Sequence, residues 1–212
     1  MDALGAAWQY ALANRDQLIG AVVVQVELSL FALLTGVALC VPLGILATRN
    51  RLVSLATINL FGTARAIPSI AILFLAIPFL GFGFTPSLVA LAVLACPPIL
   101  VNTNAGFMGV APPVVEAARG MGMNPWQVLL RVELPLALPV VLAGVRTAAL
   151  EVIASATLAT FIAGGGLGDI ITQGLGNQRV DVLLAGAIPV ALLALLAEVL
   201  FSGLQRLARL SV

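Results

Sequence analysis

Glu27, Arg65, Arg146 and Glu151 are ionisable side chains that fall inside long apolar runs of this chain. A charge held in hydrocarbon is costly, so each such group marks a cavity, a partner or a solute path. Glu151 lies near the middle of its run, too deep to reach water, and requires a buried partner or a water-filled cleft; a pathway and a structural pair both answer that need. Glu27 lies in the outer part of its run, while Arg65 and Arg146 are near enough to one end of theirs to snorkel or to pair at the boundary. Other chemistries are missing. The chain has no Lys and no His, which removes a phosphate-binding Walker lysine, a Schiff base, a Ser-His triad and a histidine zinc site. Cys40 and Cys96 each sit in an apolar run and read as small buried hydrophobes.

The elements that must position these groups follow from composition. Apolar residues make up 61% of the chain and charged residues 9%, which predicts an all-α polytopic membrane protein. A spanning helix needs about 20 apolar residues. Five runs qualify, at about 19–47, 55–80, 87–108, 138–163 and 182–204. Pro42, Pro68, Pro78, Pro97, Pro98 and Pro189 fall inside these runs and predict kinks, which a packed bundle tolerates. One membrane domain of about 19–205 is expected, with 109–137 separating its third run from its fourth, flanked by an N-terminal segment, 1–18, and a C-terminal tail, 206–212. Met1-Asp2 lacks a basic n-region, so the first run is expected to remain in the mature protein. With the N-terminus outside, inner segments hold Arg49, Arg51, Arg119, Arg131, Arg206 and Arg209, against Arg15 and Arg179 outside, so the bias predicts N-out, C-in. A net charge of +1 offers no footprint for nucleic acid.

Two polar breaks carry local signals. In the first, Pro112-Pro113 suits a helix start, and a short helix from about Val114 to Met121 follows. Gly122 suits a left-handed closure, Asn124 a cap and Pro125 a first turn, which together predict a helix-turn-helix elbow. Ala117, Ala118 and Met121, bordered by Glu116 and Arg119, are expected to form a low surface able to lie in another protein's groove. In the second break, Gly164-Gly165-Gly166-Leu167-Gly168-Asp169 precedes the apolar stretch Ile170 to Leu175. It lacks the strand-to-helix context of a phosphate cradle and predicts a tight re-entrant turn.

The segment from Glu116 to Pro135 resembles the EAA loop of binding-protein-dependent ABC importer permeases. That pattern is E-A-A, three residues, G, nine residues, I, one residue, L-P. Glu116, Ala117, Ala118, Gly122, Leu134 and Pro135 match it, and Val132 replaces the Ile with one methylene fewer. The resemblance implies the type I permease fold, with Glu116, Ala117, Ala118, Met121, Gly122, Leu134 and Pro135 in a cytoplasmic loop that couples to an ATPase. It also implies that Gly165, Gly166, Leu167, Gly168 and Asp169 form an outer gate, with Glu27 and Glu151 as further pathway candidates. Arg65-Ala66-Ile67-Pro68-Ser69 and Leu184-Ala185-Gly186-Ala187-Ile188-Pro189 are similar to permeases for glycine betaine, carnitine or choline. Methionine importer permeases are the second resemblance. Implied partners are two ABC ATPase subunits, a second permease copy or sister permease, an extracytoplasmic binding protein and membrane lipid. ATP and Mg would be bound by the ATPases, with no cofactor in this chain and residence in a bacterial inner membrane. A channel or secondary transporter fits less well, because the chain shows no inverted repeat and no carboxylate ring.

Overall fold

A computed structural model describes residues 3–210, which form helices joined by short turns, with no strand among the described residues. Helix α1 spans Ala3–Ala13, α2 Arg15–Ala47, α3 Arg51–Ala64, α4 Ser69–Leu80 and α5 Phe84–Met108. Then come α6 at Pro112–Gly120, α7 at Pro125–Val128, α8 at Leu134–Ala156, α9 at Leu167–Gly176 and α10 at Val180–Leu210. A π-helical turn, Leu129–Glu133, joins α7 to α8, and a 3₁₀ turn, Thr157–Ile162, closes α8.

Four helical stretches are long and apolar enough to cross a bilayer: Arg15–Ala47, Phe84–Met108, Pro125–Ile162 and Val180–Ala208. The second expected span is not one helix. Residues 55–80 break into α3 and α4, bent by 97°. Pro68 explains the break: a residue preceding proline is pushed out of the helical region, and Pro68 itself is extended, with ψ 133. Pro42, Pro78, Pro97, Pro98 and Pro189 instead lie inside continuous helices. The fourth stretch also reaches back to Pro125, so the second arm of the elbow is the beginning of that long helix. Helix α1 has no counterpart among the expected elements.

The chain forms two compact units. One holds residues up to Thr35, Ile67–Leu94 and Ala149–Ala197; the other holds Gly36–Ala66, Ala95–Ala148 and residues from Glu198 onward. In hydrocarbon, helices associate through close packing and shared hydrogen bonds, because lipid tails are as apolar as leucine. The second unit follows that logic. A Cβ on Gly144 would stand 2.7 Å from the Pro98 carbonyl oxygen, so α5 and α8 meet backbone to backbone. Ser54 donates to Asn104 Oδ1 at 2.6 Å across the same unit. Arg146, expected to snorkel or pair, pairs: its Nε and Nη2 donate to the two Glu198 carboxylate oxygens, Nε at 2.7 Å. Gln205 accepts from Arg146 at 3.5 Å and donates to the Pro139 carbonyl at 3.1 Å. This polar chain ties α10 to α8 through fixed, bidentate geometry.

Candidate functional site

The elbow belongs to the second unit and is built almost wholly from local rules. Helix α6 begins at Pro112, where a missing N–H is no loss, and ends in a Schellman motif. Gly122 N–H donates to Arg119 O at 2.9 Å and Met123 N–H to Ala118 O at 3.3 Å, with Gly122 at φ +83. A residue with a Cβ is strained in that conformation, which is the physical reason for glycine there. Two residues later Asn124 accepts from Gln127 N–H at 2.9 Å while Gln127 Oε1 accepts from Asn124 N–H at 2.9 Å, a complete capping box. Only four residues, 121–124, therefore separate the end of one helix from the start of the next.

The elbow is fastened by its far end. Leu129 and Leu134 pack against Phe107, Ala137 and Val141. The π turn between them has a local cause: Pro135 offers no N–H, and its ring crowds the carbonyl four residues earlier, which the wider turn relieves. Arg49 Nη2 lies 3.7 Å from Glu133 Oε2, bringing the connection between α2 and α3 to the same turn.

Sequence reasoning grouped Ala117, Ala118 and Met121 as one outward surface, and the structure divides them. Ala117, Glu116, Arg119 and Met121 are exposed, but Ala118 is only 2% exposed. It occupies the position whose carbonyl closes the Schellman motif and whose side chain faces inward there, so it is not part of the elbow's outer surface. The outward apolar residues are Val114, Met121, Trp126 and Leu130. Trp126 was missed, although an exposed Trp one residue after a helix-starting Pro is legible once the Asn124-x-x-Gln127 box is recognised.

The glycine segment belongs to the first unit and is built by tertiary contact. Ala163, Gly165 and Gly166 have φ of 58, 78 and 98, turning the chain between the 3₁₀ turn and α9. Gly164, Gly166, Leu167 and Gly168 are buried. A Cβ on Gly168 would collide with the Thr157 backbone carbonyl, one on Gly164 with Ser87 Oγ, and one on Gly166 would stand 3.0 Å from Gln25 Oε1. Gln25, fully buried, donates to the Ile153 carbonyl at 2.9 Å. That carbonyl sits where α8 tightens into the 3₁₀ turn, so a side chain from α2 supplies its hydrogen bond. Asp169 is exposed at the first turn of α9 and accepts from Thr160 Oγ1. Among the acidic pathway candidates, Glu27 is exposed on α2 and Glu151 half-buried on α8.

Residues 40–210 match the binding-protein-dependent transport system inner membrane component family. The chain is 46% identical over 178 residues to the carnitine transport permease protein OpuCB of Listeria monocytogenes, covering 84% of this chain and 82% of that one. It is 39% identical over 212 residues to the choline transport system permease protein OpuBB of Bacillus subtilis, covering 96% and 98%. Among solved structures, a chain of the MetNI methionine ABC transporter in inward-facing conformation superposes with a TM-score of 0.80 at 24% identity, covering 91% of this chain and 96% of that one.

Proposed function

This chain belongs to the family of binding-protein-dependent transport system inner membrane components, and from that premise we propose that it is the permease subunit of an ATP-driven importer for a small quaternary-amine osmoprotectant. The observation that carries the solute class is the 39% identity to a choline permease along nearly the whole of both chains. The likeness to the methionine transporter, at 24% identity, speaks for the fold alone. Glycine betaine, carnitine and choline share a permanent cation that cannot lose its charge by deprotonation. An exposed carboxylate is a chemically apt neighbour for such a group, which supports Glu27 and Asp169 as pathway residues, with Glu151 deeper on α8. Buried Gly164, Gly166, Leu167 and Gly168 support the role of a rigid frame that sets Asp169 at the gate, with Gly165 at its turn.

The chain holds no ATPase of its own; ATP and Mg²⁺ are bound by two partner subunits that dock on the elbow. Glu116, Ala117 and Met121 are the contact side chains, while Gly122, Ala118, Leu134 and Pro135 set its shape and anchor it. A second permease copy or a sister permease faces this one, and a separate binding protein delivers the solute. The elbow and the C-terminus face the cytoplasm and the N-terminus faces out, the orientation that the arginine bias supports.

The test is uptake of labelled glycine betaine, carnitine and choline by the complex of permease, ATPase and binding protein in liposomes. ATP-dependent entry of at least one of them, unaffected by excess methionine, is expected. Entry of methionine without any of the amines would overturn the solute assignment and leave the permease assignment standing.

A further inference from the structure

Helix α1 is two-faced. Leu4, Trp8 and Leu12, spaced four residues apart on one face, are exposed at 65%, 67% and 61%. Ala7 is buried and Tyr10 half-buried on the opposite face. Tyr10 packs with the cluster of Leu167, Ile170 and Val182, and the Arg179 guanidinium lies 5.6 Å from its ring centroid. The helix is thus clamped to the first unit on one side and bare on the other.

We propose that the Leu4-Trp8-Leu12 face rests in membrane lipid at the boundary between headgroups and acyl chains, making α1 an interfacial anchor. Four observations select lipid as the occupant. The helix has 11 residues, about 16 Å, roughly half of the hydrocarbon thickness, so it does not span. Ala3–Ala13 carries no charge, and three large apolar side chains are costly to leave in water. One residue, Asn14, separates α1 from α2, whose first residues Arg15 and Asp16 are exposed charges of the kind found at a membrane boundary. Arg179, whose guanidinium lies over the Tyr10 ring on the inner face, is in the polar break between α9 and α10, so α1 lies beside a second charged boundary of the apolar helices. Trp8 suits such a place because its ring is apolar and its N–H seeks the wet side. The anchor would hold Tyr10, and through it Leu167 and α9, at a fixed depth.

The test uses the full chain reconstituted in bilayers. Trp8 and Trp126 are the only tryptophans, so Trp126→Phe leaves Trp8 as the sole reporter. Lipids brominated at carbons 6 and 7 should quench Trp8 more than lipids brominated at 11 and 12, and aqueous iodide should quench it weakly. Strong iodide quenching with no bromolipid quenching would place the face in water and overturn the proposal. Stronger quenching by the deeper bromines, or protection from every quencher as under a protein partner or second copy, would also overturn it. Should the Trp126→Phe protein fold poorly, Leu12→Cys bearing a nitroxide in a background lacking Cys40 and Cys96 gives a second reading. Accessibility to oxygen above that to a water-soluble nickel complex is expected, and the reverse order would reject lipid burial.

Discussion

The elbow and the glycine segment both turn the chain on glycines with positive φ, and they hold those turns in opposite ways. Around Gly122 nothing lies within 4 Å of an added Cβ, and hydrogen bonds between residues three to five apart fix the backbone. Around Gly164, Gly166 and Gly168 the space is filled by Ser87, Gln25 and Thr157, residues distant in sequence or on another element. A locally held, exposed turn can present side chains to a partner and still keep its shape. A turn held by its neighbours can move only if those neighbours move, which suits a frame or a gate coupled to the bundle.

The largest effect expected is at Gly168. Gly168→Ala drives a Cβ into a backbone carbonyl that has no rotamer to escape to, and overpacking of this kind costs about 1–3 kcal/mol or more. The purified protein should lose its monodisperse profile in detergent or melt well below the parent, and Gly168→Asn should be worse. At Gly122 the order reverses. Gly122→Ala meets open space and costs only the left-handed backbone, about 1–2 kcal/mol. The protein should fold, but co-purification with the ATPase should drop, and Gly122→Asn, a residue that tolerates this conformation, should recover part of it. Equal loss of folding for both alanine variants would erase the distinction between the two turns.

Ala117 and Ala118 give a contrast within the elbow itself. Ala117→Trp adds bulk to an exposed position and should leave the melting temperature near that of the parent while weakening ATPase capture roughly tenfold or more, about 1.4 kcal/mol. Ala118→Trp puts the same bulk into a buried site and should lower the melting temperature first. If both variants assemble with the ATPase, and their complexes hydrolyse ATP like the parent complex, the elbow is not the docking element.

How much of this was legible in the sequence depended on the range of the forces involved. The stop at Gly122 and the start at Asn124-Pro125 are nearest-neighbour chemistry and read directly from residue types. The inward turn of Ala118 needed the phase of α6 against the Schellman closure, which two adjacent alanines do not disclose. The break at Arg65–Pro68 was visible as a proline but not as a 97° bend, because interior prolines at 42, 78, 97, 98 and 189 leave their helices continuous. What separates Pro68 is that the residues before it, Ala66 and Ile67, have already left the helix. The tight packing of Gly164 and Gly168 and the Gln25 bond to Ile153 arise from contacts across the fold, where a single sequence carries no pairing information. Helix α1 was passed over because an uncharged stretch of eleven residues is too short to register as a span.

Two smaller effects sharpen the picture of the elbow as a locally built part. Asn124→Ala removes the capping box and should cost about 1 kcal/mol, seen as a modest fall in melting temperature with ATPase capture reduced less than at Gly122. The smallest effect is expected from Arg49→Gln. The Arg49 to Glu133 separation of 3.7 Å is longer than a hydrogen bond, and the Arg49 side chain is 51% exposed, so solvent screens the pair. Such pairs contribute about 0–1 kcal/mol. Glu133, at 14% exposure, would keep enough contact with water to remain tolerable once its partner is gone. Melting temperature and ATP hydrolysis should therefore stay close to the parent, and raising salt should narrow the remaining gap. A large loss of hydrolysis at unchanged melting temperature would mean that this pair is a strut between the α2–α3 connection and the π turn. The elbow would then be held by distant residues as the glycine segment is, and the contrast between a locally fixed and a neighbour-fixed turn would fail at its simplest point.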